Sequence, residues 1–230
     1  RGRNSGMVES RVESFLPVGQ PLDLRVTLDS GQVFRWRWEG EWCWGMVGQH
    51  AFVLSQVEGG LLFRSSAPST SVAKAALHDF LRLDDDLERL CREVAFDEVL
   101  ARAIAQYPGL RLLRQDPWEC LASFVCSSVS NIPRISKVLN SVAKAYGDPV
   151  VLNSRCLYRF PNARRLAKVG EEALRGLGLG FRAGYLARIA PVAAHGEIDL
   201  MELRNVSYDE AKAALVKLPG IGDKVADCIL

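Results

Sequence analysis

Lys224 is the residue whose surroundings most change what its type can do. It follows Leu218-Pro219-Gly220-Ile221-Gly222-Asp223 and precedes Cys228 by four positions. An apolar, Ala-rich helical pattern over 209–215 runs into Pro219, which cannot continue it, and a second pattern begins at about Asp223. Gly220 and Gly222 allow the backbone angles of a tight hairpin and leave main-chain N–H groups open to an anion. Those groups sit at the start of the next helix, where a phosphate is favoured. The pattern reads as a helix-hairpin-helix, a device for gripping a nucleic-acid backbone. Lys224 falls in the first turn of the second helix, where the positive end of the dipole disfavours an ammonium and favours a free, nucleophilic amine. A helix lysine met in isolation is a solvated charge. At this helix start it is a candidate nucleophile.

Composition narrows the setting. A chain of 230 residues holds one large domain or two small ones. Hydrophobic content of 48% and charged content of 24% are ordinary for a globular protein, and the net charge of +2 does not by itself indicate nucleic acid. Its distribution says more. Between Arg134 and Arg188 lie eleven Lys/Arg against three acidic residues, so one basic stretch is joined to an acidic remainder. The other reading, helix surfaces that happen to be basic, stays open. Cys43, Cys91, Cys120, Cys126, Cys156 and Cys228 form no C-x-x-C pair and have no His at metal spacing, which speaks against a zinc site or disulfide scaffold and for a reducing, intracellular setting. No stretch reads as a membrane span or signal peptide. Residues 1–6, ahead of Met7, read as an expression remnant.

The elements that must position Lys224 fall into two kinds. Residues 20–66 read as β-structure: Phe34, Trp36 and Trp38 alternate with their neighbours, as do Trp42, Trp44 and Met46 beyond Glu39-Gly40-Glu41. Strands over 51–57 and 61–64 follow. Four of the five tryptophans lie between positions 36 and 44, which reads as one sheet face packed on a core rather than a base-stacking surface. From Ser71 onward the pattern is helical. Asp84-Asp85-Asp86 suits a helix start better than a metal site. Asp116-Pro117-Trp118-Glu119 is a strong helix start, and Ser207 with Glu210 is a capping box for the helix entering the hairpin. The expected fold class is α+β: an antiparallel β domain over 7–70, then an all-α domain over 71–230 with the helix-hairpin-helix at about 208–230. Gly178-x-Gly180-x-x-Ala183 matches a loosened dinucleotide fingerprint but lacks the preceding apolar strand. It reads instead as a tight turn bringing Phe181 and Arg182 to a surface.

Several blocks together resemble one family. These are Ser30-Gly31-Gln32-Val33-Phe34-Arg35-Trp36, Leu112-Leu113-Arg114-Gln115-Asp116-Pro117 with Glu119-Cys120-Leu121 and Cys126-Ser127-Ser128, Gly176-Leu177-Gly178-Leu179-Gly180-Phe181-Arg182-Ala183, and the hairpin itself. From about Pro21 on, nearly the whole chain resembles the 8-oxoguanine DNA glycosylases of the helix-hairpin-helix superfamily. The resemblance implies a bifunctional glycosylase and lyase acting on double-stranded DNA with 8-oxoguanine opposite cytosine. It implies no cofactor for the chemistry and a monomer without a membrane. The compartment would be nuclear or mitochondrial in a eukaryote, or the cytoplasm and nucleoid in a prokaryote. It gives Lys224 the attack on the sugar, the Gly31 carbonyl the reading of the N7 proton, and Cys228 a face of the extruded base. Arg134 and Arg182 would contact the orphaned cytosine, Phe181 would be a wedge, and Gly220 and Gly222 would hold phosphate. The carbonyls of Leu218 and Ile221 would hold a structural cation.

Two departures matter. Val129-Ser130 stand where the family has asparagines, so opposite-base selection is expected to be weaker or differently achieved, with Asn131 either a replacement donor or a helix cap. The family's aspartate partner of the lysine would fall past Leu230. The sequence therefore reads as a C-terminally truncated part, poorly active alone and with an apolar face uncovered. The rivals are a glycosylase for other damaged bases, such as alkylated ones, and a non-catalytic helix-hairpin-helix DNA-binding module.

Overall fold

In a computed structural model, which describes residues 13–230, the alternating tryptophans do form a hairpin. The remnant assigned to residues 1–6 lies outside the described residues. Strand β1 (Ser14–Pro17) is followed by a short helix α1 (Leu24–Asp29), then β2 (Arg37–Glu39), β3 (Trp42–Val47), β4 (His50–Val57) and β5 (Gly60–Ser65). They build one antiparallel sheet in the order β1-β5-β4-β3-β2, with Arg37 opposite Trp44 and Glu39 opposite Trp42. Helix α1 departs from the β-structure expected over 20–66. Asp23 caps it by accepting from the Val26 N–H at 2.9 Å, and Leu24 and Leu28, one turn apart, are both buried.

Both faces of the sheet are covered. On one, Cys43, Phe52, Leu54, Leu61 and Phe63 pack against Leu24 and Leu28 and against Leu77 and Phe80 of α2 (Thr70–Phe80). Trp36 belongs to this layer, stacked on Phe80 at 5.8 Å, and its indole crosses Gly45 so closely that a Cβ there would lie 2.3 Å away. On the other face, Ala51 and Val53, with Trp42, Trp44 and Met46, meet Val150 and Leu152. These come from a second antiparallel ladder, β6 (Pro149–Leu152) with β7 (Arg155–Tyr158), and the Arg155 guanidinium lies 4.3 Å from the Trp44 ring. This ladder lies within the stretch expected to be helical. Its four-residue strands are too short for a period-two pattern to stand out.

The helical part runs through α3 (Leu87–Val94), α4 (Glu98–Gln106), α5 (Pro117–Ser127), α6 (Ile132–Tyr146), α7 (Ala163–Leu166), α8 (Glu171–Leu174), α9 (Arg182–His195), α10 (Tyr208–Leu215) and α11 (Asp223–Ile229). The caps read from the sequence are present: Asp116 accepts from Glu119 N–H at 2.8 Å, and Ser207 and Glu210 close their box. Helix α5 is buried continuously from Cys120 to Cys126. It joins two cores, one with α6 and α9 and one with α10 and α11, as expected of a helix apolar on every side. Arg111, only 2% exposed, ties the sheet to this body by donating to the carbonyls of Pro21 and Arg82 and to the Gln20 side chain. No helix among the described residues is long and apolar enough to cross a membrane.

Candidate nucleic-acid interface and lysine site

The hairpin is anchored by its apolar side chains and reaches the surface at its glycines. Leu218 and Ile221 are buried with Leu121, Val125, Ile189, Leu215 and Ala226, while Gly222 is exposed and Gly220 half-buried. The chain turns as Ile221 N–H donates to the Leu218 carbonyl at 3.2 Å, and α11 begins with Ala226 N–H on the Gly222 carbonyl at 2.9 Å. Gly220 has φ +81°, and a Cβ on it would lie 2.4 Å from the ring of Tyr185 in α9. Gly220→Ala meets a left-handed backbone and a displaced aromatic ring together. It is expected to cost about 2–4 kcal/mol in denaturant unfolding and to weaken DNA binding.

Lys224 and Cys228 are both exposed on α11, four residues apart on one side of the helix. The Cys120 thiol reaches back to the Ile229 carbonyl at 3.9 Å, fixing α11 against α5. Burial pushes the thiols of Cys43, Cys120 and Cys126 up to about 12. Iodoacetamide at pH 8 should therefore alkylate exposed Cys156 and Cys228 and spare those three until the protein unfolds. Mass spectrometry of labelled peptides reads the result.

The glycine-rich turn before α9 separates two neighbours expected to reach the surface together. Gly178 and Gly180 have φ +90° and +59°, and Phe181 emerges 49% exposed, edge-on to Tyr185 at 6.0 Å. Arg182 does not emerge. It is 4% exposed, and its guanidinium donates to the carbonyls of Ser128 and Val129, each at 2.6 Å, and of Leu179 at 3.4 Å. Instead of reaching the surface, Arg182 grips the 128–129 turn. The reason is local: α9 starts at Arg182, so its side chain points inward under the end of α5. Val129 pays for that turn with φ +49°, a left-handed backbone that is rare for a β-branched residue, and its side chain is 88% exposed.

Asn131 caps α6, its Oδ1 accepting from Arg134 N–H at 3.0 Å, and Arg134 and Lys137 are exposed just beyond. Gly31, at φ +89°, abuts the same helix start: a Cβ on it would lie 3.7 Å from Ile132 Cδ1. The Gln32 side chain holds this turn, donating to the Arg111 carbonyl and accepting from Leu113 N–H. Contacts thus link the 128–129 turn through Arg182, Phe181 and Tyr185 to Gly220, and Gly31 lies beside Ile132. Tyr185 was not singled out in the sequence. Its spacing of four from Phe181 within a helical pattern is the signal that could have found it.

For a cation, Leu218 offers a carbonyl already accepting one hydrogen bond, and Ile221 a carbonyl ahead of the first turn of the α11 ladder. Two such oxygens suit a hard cation as part of a larger set. Among the described residues no group of three or more His, Cys, Asp or Glu side chains is placed to hold a metal.

The sheet, the helical body and the lysine-bearing hairpin define the class of helix-hairpin-helix DNA-repair folds. The sequence profile of the 8-oxoguanine DNA glycosylase N-terminal domain matches residues 15–121. An Arabidopsis thaliana N-glycosylase/DNA lyase OGG1 is 36% identical over 222 residues, covering 90% of this chain and 60% of its own length. A structure of MBOgg1 with a low-affinity DNA ligand superposes with a TM-score of 0.86 at 31% identity, covering 94% of this chain and 75% of that one. A Clostridium acetobutylicum 8-oxoguanine glycosylase/lyase bound to double-stranded DNA with cytosine opposite 8-oxoG gives 0.85 at 26% identity, over 91% and 72%. The chain belongs to the 8-oxoguanine DNA glycosylase family. It spans about three fifths of the length of the Arabidopsis relative.

Proposed function

We propose that the protein excises 8-oxoguanine from duplex DNA, opposite cytosine, and nicks the strand at the resulting site. The observation that carries this is Lys224, exposed immediately after a hairpin whose apolar side chains are buried and whose glycine backbone is left accessible. The target sugar carbon is unreachable inside a stacked duplex, so the nucleotide is extruded first. Phe181 would occupy the gap beside it, with Arg134 on the orphaned cytosine and the hairpin N–H groups of Gly220 and Gly222 on the backbone. The Lys224 amine bonds to C1′ as the bond from C1′ to the base breaks, and the base leaves with a proton. The sugar ring opens to an imine, and loss of a C2′ proton expels the 3′ phosphate.

The Gly31 carbonyl would accept from the N7 proton that 8-oxoguanine has and guanine lacks, with Cys228 against the base face. One such hydrogen bond distinguishes the bases by about 1–3 kcal/mol, because guanine leaves the acceptor unpaired. Asn131 would keep its amide N–H₂ for DNA while its oxygen caps α6. None of these steps calls for a cofactor, and a cation held by Leu218 and Ile221 would serve the phosphate grip. The protein would act intracellularly as a monomer.

The test is to incubate the full-length protein with 8-oxoguanine:cytosine duplex and add borohydride. A covalent adduct at the lesion is expected, with none on an undamaged duplex. Salt-sensitive binding without any adduct would overturn the reading in favour of a non-catalytic DNA-binding module.

A further inference from the structure

Asp227 follows Lys224 by three residues on α11, which makes its carboxylate a near neighbour of the lysine along one helix. A free carboxylate there would pair with Lys224 and favour its ammonium form, which has no lone pair for attack. In the structure that carboxylate is engaged from the other helix of the hairpin. Lys212 Nζ of α10 lies 2.8 Å from Asp227 Oδ1, and the Tyr208 hydroxyl donates to the same oxygen at 2.5 Å. Lys212 Nζ is also 3.4 Å from the Tyr208 oxygen and 3.7 Å from Asp223. The hydrogen bond from Lys212 holds the Asp227 carboxyl below the usual carboxylate range, and the same bond raises Lys212.

We infer that Lys212, assisted by Tyr208, is a positioning residue for Lys224: by engaging Asp227 across the hairpin it keeps that carboxylate from pairing with the lysine. Of the other titratable groups on elements packed against α11, three are committed elsewhere. Cys120 of α5 meets the far end at Ile229, Glu119 of α5 pairs with Arg35, and Glu210 of α10 closes the box with Ser207. Asp209 is exposed on α10, and α11 itself carries Asp223 and Cys228. The consequence for turnover rests on the proposed role of Lys224, whereas the effect on its amine does not.

The experiment therefore uses no DNA. The protein is trace-labelled with acetic anhydride across a pH series, and acetylation of Lys224 is read by mass spectrometry. Lys212→Met is expected to lower labelling of Lys224 near neutral pH by about twofold, the size of a single helix ion pair, and to move the profile to higher pH. Lys212→Arg and the double variant Lys212→Met/Asp227→Asn are expected to restore the wild-type profile. Tyr208→Phe, which leaves Lys212 in place, should move it in the same direction by less and serves if Lys212→Met fails to fold. An unmoved profile overturns the inference, as does a moved one that Asp227→Asn fails to rescue. Failure of the wild-type protein to form a borohydride adduct would count against the proposed function alone.

Discussion

Lys224→Gln should leave no borohydride-trapped adduct on 8-oxoguanine:cytosine duplex and should lower strand cleavage by roughly 10³-fold or more. Glutamine keeps much of the length of the lysine and supplies no nucleophilic lone pair, so the imine cannot form. Lys224 is exposed on α11, and a surface change of this kind is expected to alter stability by less than about 0.5 kcal/mol. Duplex binding should persist within a few-fold, since Gly220, Gly222 and Arg134 remain. Gel-resolved trapping and nicking, with a parallel melting curve, separate lost chemistry from lost fold. An adduct that persists in Lys224→Gln would assign the nucleophile to another amine.

The second large effect is expected at Arg182. Arg182→Met removes a buried cation that donates to three main-chain carbonyls and leaves Val129 at φ +49° without its support. The loss should be about 2–4 kcal/mol in denaturant unfolding. Val129→Gly should act in the opposite sense, stabilising the protein by about 1 kcal/mol, because glycine takes a left-handed backbone without the Cβ penalty. Combining the two should recover part of the Arg182→Met loss. Excision assays with each base opposite the lesion complete the test. Val129 has no amide to hydrogen-bond an orphaned base, so the wild-type protein should excise opposite A and C at similar rates. Strict preference for C would refute that expectation, and an unaltered unfolding curve for Arg182→Met would refute the role of the clamp.

Much of this architecture is legible locally. Asp116-Pro117 and the Ser207/Glu210 box announce helices because a cap is satisfied within three residues of chain. The tryptophans around Glu39-Gly40-Glu41 announce a hairpin because alternation needs only a sheet with two faces. Helix α1 was missed because six residues give one turn of apolar spacing, which does not compete with the β-rich stretch around it. The ladder of β6 and β7 was missed for the same reason of length.

The sequence by itself determined the hairpin over 218–222, the lysine in the first turn beyond it and the cysteine one turn further on, since proline and glycine act on their own backbone. Only the tertiary structure decided what those residues meet. It placed Tyr185 under Gly220, seated Gly31 against Ile132, turned Arg182 inward onto Ser128 and Val129, and set Lys212 on Asp227. Helical periodicity reports which side of a helix is apolar. It does not report which helix will lie against that side, and here the packing of α5 against both α9 and α11 makes that choice. Lys224 remains the residue marked by its own neighbours in sequence, while the groups proposed to free and support it come from elements that only folding brings to the hairpin.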